Sequence, residues 1–146
     1  MILIAHRGNT DGPNPDKENN PLYIIDSLKN GYHCEIDVWL KDGQIYLGHD
    51  CPQYQIGFDF LTKDKLWCHA KNIDALQMLI KGKIHCFWHQ TDDVTLTSNG
   101  WLWTYPGKDL TRDSIAVMPE WVENYDISAA YGVCSDFVSK YKKGNS

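Results

Sequence analysis

The chain has 146 residues, a mass of 16.8 kDa, 42% hydrophobic and 23% charged residues. That is the size and balance of one globular domain, spanning residues 1–146. A net charge of −5 and a pI near 5.6 exclude the basic face that a nucleic-acid partner needs. No apolar run approaches the roughly 18 residues of a membrane span. The opening MILIAHRGN lacks a basic leader region and turns polar by His6, so the expectation is a cytoplasmic protein.

The first predicted strand is Ile2 to Ala5. A polar, proline-containing connection follows, and Asn20-Pro21 opens a helix, with Asn as the cap and Pro in the first turn. Leu22, Ile24, Ile25 and Leu28 form its predicted buried face, and Gly31 ends it. His33 to Trp39 reads as the second strand. Asp42-Gly43 turns the chain into a short hairpin strand, Gln44 to Leu47. Leu66 to Ala70 is the next strand. Asn72 caps a second helix, with Ile73, Leu76, Leu79 and Ile80 inward and Gly82 at its end. Further strands are predicted at Ile84 to Trp88, Val94 to Thr97, Trp101 to Thr104, Ile115 to Met118 and Tyr131 to Ser135. The polar tail, Lys140 to Ser146, is expected to fray.

Of the five cysteines, three lie inside apolar strand-like runs and none forms a CxxC pair. They read as small buried hydrophobes rather than as a disulfide framework.

Apart from the hairpin strand, eight strand candidates alternate with a few helical patterns. Strand–helix–strand order predicts parallel units and an α/β fold, a compact, helix-poor (β/α)8 TIM-like barrel. An ordinary barrel takes about 250 residues. Here each unit has roughly 18 residues, against about 30 for a full βαβ unit, so several helices must be reduced to turns. Strand surface exposed in this way would be covered in a homodimer.

The chemistry-bearing residues cluster at predicted strand ends. His6-Arg7-Gly8 follows the first strand, Glu18-Asn19 precedes the first helix, and His49-Asp50 follows the hairpin. On the second strand, period two puts Glu35 and Asp37 on one face, with Cys34, Ile36 and Val38 opposite. Two inward carboxylates repel unless a cation lies between them, and such oxygen ligands favour Mg²⁺ or Ca²⁺. His6 and His49 suit general acid and base work. Arg7 offers a planar fork for a phosphate. By the same parity Trp67, His69 and Lys71 share one face, and His85, Phe87 and His89 share another. Trp101, Trp103, Tyr105 and Trp121 read either as barrel filling or as a sugar- or glycerol-binding face.

The sequence of motifs His6-Arg7-Gly8, Glu18-Asn19, Glu35-x-Asp37, Asp42-Gly43 and His49-Asp50 resembles the glycerophosphodiester phosphodiesterases, barrel enzymes related to the phosphatidylinositol phospholipases C. The resemblance covers about residues 2–50. It implies that His6 and His49 are the acid/base pair, that Glu35 and Asp37 bind metal, that Glu18 supports the metal site and that Arg7 contacts phosphate. Leu66-Trp67-Cys68-His69-Ala70-Lys71 is similar to the family strand carrying Glu-x-Lys. On that likeness Lys71 is a second phosphate contact, and His69 stands where the family has its third, glutamate ligand. An imidazole there moves the preference toward Mn²⁺ or Zn²⁺. Tyr131 to Phe137 is similar to the closing strand. The implied function is metal-dependent hydrolysis of a small-molecule glycerophosphodiester. One alternative is a non-catalytic module that binds a phosphate or sugar phosphate. Another is a zinc hydrolase centred on His69, His85 and His89.

Overall fold

A computed structural model describes residues 1–143. The elements are β1 (Ile2–His6), α1 (Pro21–Lys29), β2 (His33–Lys41), β3 (Gln44–Leu47), β4 (Tyr54–Ile56), α2 (Phe58–Leu61), β5 (Leu66–Ala70), α3 (Ile73–Lys81), β6 (Cys86–Phe87), β7 (Val94–Leu96), β8 (Leu102–Thr104), β9 (Ser114–Val117) and β10 (Gly132–Ser135). Short 3₁₀ turns lie at Pro119–Trp121 and Val138–Tyr141. The last three residues of the predicted frayed tail lie outside the described residues.

The two longer helices begin as their sequences predict. Asn20 Oδ1 accepts from Leu22 N (3.0 Å) ahead of Pro21. Asn72 Oδ1 accepts from Ala75 N (3.1 Å), and its Nδ2 donates to Leu40 O (2.8 Å), tying α3 to the end of β2. The buried faces are narrower than predicted. Leu22, Ile73 and Ile80 are exposed, while Ile24, Ser27, Ala75 and Leu79 are buried. The helices pack through one edge on a curved sheet, so residues at the margin of each apolar stripe stay in solvent.

The fold is not a (β/α)8 barrel. It is a mixed sheet of ten strands curled into a half-barrel, with three short helices. β6, β5, β2, β1, β10, β9 and β8 lie side by side and run parallel. The remaining pairs are antiparallel: β3 folds back on the far half of β2, β4 pairs β3, and β7 pairs β8. The barrel expectation fails because Val94 to Leu96 returns as a hairpin partner instead of adding a parallel unit. An apolar strand reads alike in either direction. The connections from β8 to β9 and from β9 to β10 contain no α-helix among the described residues, which is how the chain stays short.

Both faces of the sheet are buried where the site lies. Ala5, Cys34, Ile36, Val38, Cys68 and Cys86 project to the outer face, against α1 and α3. Ile4, Trp67, Phe87, Trp103, Ile115 and Cys134 project inward and fill the curl. The predicted alternation on β2, β5 and β6 therefore holds. All five cysteines are free, and all but Cys51 are buried. Burial pushes the Cys34 thiol up to about 12, despite the nearby Ser27 hydroxyl. No helix among the described residues is long and apolar enough to cross a membrane.

His85, against the edge of the inner core, is an acid-sensitive side chain. His85 packs against Trp67, with ring centroids 4.4 Å apart, and pairs with Thr97 Oγ1 at 2.8 Å. Burial, with the neighbouring His33, pushes its pKa down to about 4. The unfolded chain, with an ordinary value near 6.5, binds that proton more readily. Its contribution to stability is complete above about 6.5 and is lost as the pH falls toward about 4. Urea unfolding at pH 7.5 and 4.5 should show a smaller acid loss in His85→Gln than in the wild type. Equal losses would remove His85 from the acid response.

Candidate active site

Two backbone devices place the site at the C-terminal ends of the parallel strands. After β1 the chain turns sharply through Arg7 (φ 56°) and Gly8 (φ 91°). Arg7 N donates to Glu35 O at 3.0 Å, and a Cβ at Gly8 would meet the Tyr23 ring at 2.7 Å. A non-glycine residue at positive φ costs about 1 kcal/mol or more, so the fold holds Arg7 against a local preference. The second device is Gly48, where a Cβ would come within 2.0 Å of Cys51 O. Gly48 N donates to Asp37 O (3.1 Å), and Gly48 O accepts from Trp39 Nε1 (2.6 Å). This close approach sets His49 over Asp37.

Glu35 and Asp37 are both almost fully buried and face one cavity of about 280 Å³. His69 enters from β5, in register with Asp37. Its Nδ1 lies 3.3 Å from Asp37 Oδ1 and 3.8 Å from Glu35 Oε2. Its Nε2 donates to His89 O (3.1 Å), and its ring stacks on Phe87 with centroids 5.0 Å apart. Potential ligand atoms of Glu35, Asp37 and His69 all lie within 4.8 Å of one another.

Around this triad stand the other polar groups. Asn19 fixes Asp37 twice, accepting from Asp37 N at Oδ1 and donating from Nδ2 to Oδ2, both at 2.9 Å. Arg7 Nε lies 3.5 Å from Asp37 Oδ2, and His49 Nδ1 is also 3.5 Å from that oxygen. His6 Nε2 is 3.9 Å from Glu35 Oε1. His6 Nδ1 donates to Asp136 Oδ1 at 2.8 Å, and Asn9 Nδ2 donates to the same oxygen at 2.9 Å.

The electrostatics separate the two carboxylates. Burial alone would raise Asp37, but the His49 and His69 imidazoles and Arg7 hold it well below the usual carboxylate range. Burial and the Asp37 charge push Glu35 up. Burial would lower His6, yet its hydrogen bond to Asp136 and the Glu35 charge raise it. Burial would raise Asp136, whose pairing with His6 and Asn9 keeps it low.

Of the site residues expected from the sequence, His6, Arg7, Glu35, Asp37, His49 and His69 all line this one cavity. Glu18 does not join the triad. Its Oε1 accepts from Arg7 Nη1 (3.2 Å) and its Oε2 from Asn14 N (2.7 Å), so it orients the guanidinium. Lys71 follows β5, with its N donating to Val38 O (2.9 Å), and does not line the cavity. His89 lines it, whereas His85 sits at the other end of the strands, so the three histidines of the zinc alternative are not together. Trp103, Tyr105 and Trp121 form an aromatic wall of the cavity, and Trp101 lies elsewhere. Asp136, Asn9 and the specific role of Asn19 escape the sequence reading. Their one signal is position, since Asp136 directly follows a strand in the way His6 ends one.

The triad fits a divalent cation by its own chemistry. Two carboxylates and one imidazole converge, and Glu35 Oε1 is buried with no hydrogen-bond partner among the described residues. Such an oxygen lacks the compensation that burial of a charge demands. Comparison of the chain with family models, with curated proteins and with solved structures finds no match.

Glu35 also sets a test. Its raised pKa means that its contribution to stability is present below the usual carboxylate range and is lost as the pH rises through its folded value. Without divalent ions at pH 7.5, Glu35→Gln should melt at or above the wild-type temperature, and the difference should shrink at pH 4. Added Mn²⁺ or Ca²⁺ should raise the wild-type melting temperature by linkage and leave Glu35→Gln unmoved. A variant that melts well below wild type without metal would show that Glu35 is a structural acid.

Proposed function

We propose that this chain is a metal-dependent phosphodiesterase acting on small glycerophosphodiester-like substrates. The observation that carries the reading is the convergence of Glu35, Asp37 and His69, with ligand atoms within 4.8 Å, beside Arg7 and two histidines in one cavity. The motif resemblance to glycerophosphodiester phosphodiesterases supports it, since its acid/base and carboxylate positions fall in that cavity.

Glu35, Asp37 and His69 would hold the cation, of the Mg²⁺, Ca²⁺ or Mn²⁺ kind, with Zn²⁺ compatible with the imidazole. When bound, it would supply positive charge to the phosphoryl oxygens. Arg7 adds a second positive group on the same side, held by Glu18. Asp136 keeps the His6 proton on Nδ1, leaving Nε2 as the acceptor that faces the cavity. His6 is thus arranged as the base for water or a neighbouring substrate hydroxyl. His49 lies across Asp37 and is more open to solvent, with 40% of its side chain exposed, which suits the group that meets a departing alcohol. The aromatic wall of Trp103, Tyr105 and Trp121 would face the carbon skeleton.

A panel of phosphodiesters, with chelator and with each added divalent ion, tests the reading. Turnover should require the ion. Loss of a general acid typically costs about 10²- to 10⁴-fold, and the loss is smallest for a good leaving group. His49→Ala should therefore slow a glycerol diester far more than a p-nitrophenyl diester, and His6→Ala should slow both alike. Ion and diester binding without any turnover would make the chain a phosphate-binding module instead.

A further inference from the structure

At the opposite end of the strands lies a second cavity of about 330 Å³, within the range of small-ligand sites. It is separated from the catalytic cavity by Trp67 and Trp103, whose rings pack 5.8 Å apart in the inner core. Lys63, Lys65 and Lys83 line it, with His33, His85 and Asn99. In a chain of net charge −5 this is a local excess of cations. Among the described residues, no carboxylate lies within ion-pair distance of these three lysines. Asp64 is the one acid in the lining, and it and the three lysines are all exposed.

The charge of this cavity is one-sided, with Lys63, Lys65 and Lys83 against Asp64. Two of its backbone acceptors are used by the sheet: Lys65 O accepts from Cys34 N (3.0 Å) and His85 O from Cys68 N (3.1 Å). The His33 Nδ1 lone pair accepts from Trp67 Nε1 at 3.0 Å, which puts the His33 proton on Nε2 as a donor. His85 Nε2 is occupied by Thr97 Oγ1, leaving Nδ1 for another partner. Of the three ammonium groups, Lys63 Nζ lies 5.7 Å from the centroid of the Phe60 ring, while Lys65 and Lys83 have no ion-pair partner among the described residues. A cavity with an excess of ammonium groups is complementary to an oxyanion. Trp67 and Trp101, with centroids 6.3 Å apart, give it an apolar wall.

We infer that this second cavity is a binding site for a small dianionic phosphate, held by Lys65 and Lys83 with His33 and His85 at its base. The inference does not depend on the proposed catalysis. Burial lowers the pKa values of both imidazoles, with a smaller effect of Lys65 on His33 and of His33 on His85.

The test is NMR of the ¹³C-labelled imidazoles during titration with inorganic phosphate and with phenyl phosphate, at ionic strength held constant with NaCl. The Cε1–H signals of His33 and His85 should shift saturably with both. His6 and His49 report any separate binding in the catalytic cavity. Tighter binding of the phenyl ester assigns the tryptophan wall to an organic group, and equal binding assigns the site to phosphate itself. Lys65 and Lys83 have φ values of 72° and 57°, a conformation asparagine tolerates well, so the Lys65→Asn/Lys83→Asn protein should fold. It should bind phosphate at least roughly tenfold more weakly, through loss of two charge contacts. Signals of His33 and His85 that stay fixed, or that shift equally in wild type and variant, would overturn the inference.

Discussion

The placement of two carboxylates on the inner face of one buried strand governs much of this molecule. Burial of an unpaired charge is costly enough that proteins pair it, ligate it or neutralise it. Here each acid is treated differently. Asp37 is surrounded by Arg7, His49, His69 and both ends of the Asn19 amide. Among the described residues Glu35 receives the longer approaches of His6 and His69, and its Oε1 has no hydrogen-bond partner. The left-handed backbone at Arg7 and Asn19 follows from the same demand, since those turns aim a guanidinium and an amide at the pair.

The curl of the sheet converts this local demand into a molecule with two different ends. Seven of the strands run in one direction through the curl, so Glu35, Asp37, His6 and His69 gather at their C-terminal ends and Lys63, Lys65 and Lys83 line the cavity at their N-terminal ends. Between them Trp67, Phe87, Trp103, Ile4 and Ile115 form a plug of apolar side chains. The polarity follows from parallel strand order, because an antiparallel sheet would mix the two kinds of end.

Strand parity could be read from the sequence because it depends only on period two and on the identity of neighbours. Cys34, Ile36 and Val38 alternate with Glu35 and Asp37, and the structure keeps that alternation. Strand direction could not be read in the same way. Val94 to Leu96 looks like any short apolar strand, and only its pairing with Leu102 to Thr104 shows that it runs backwards. The short length per unit was already in conflict with a full barrel, and the hairpins resolve that conflict. At the site, residues adjacent to strands in sequence were found. Partners across the chain were not, because His6 and Asp136 stand 130 positions apart. Glu18 and Lys71 show the opposite limit. Motif order places both beside the carboxylates, but the Glu18 side chain accepts from Arg7 and Lys71 does not line the cavity.

The pairing of β1 with β10 has a consequence for the order of assembly. Ile2 to Ala5 sit between the strand beginning at His33 and the strand Gly132 to Ser135. On a ribosome the first of these strands emerges long before the last. Until then it can bond along one edge only, and its other row of amides and carbonyls stays open to solvent or to a wrong neighbour. Contacts of such long sequence separation close late and slowly. His6 gains the carboxylate that orients it only when that final strand docks. Until then a nascent chain carries the acids and the imidazoles without the geometry that would let them act together.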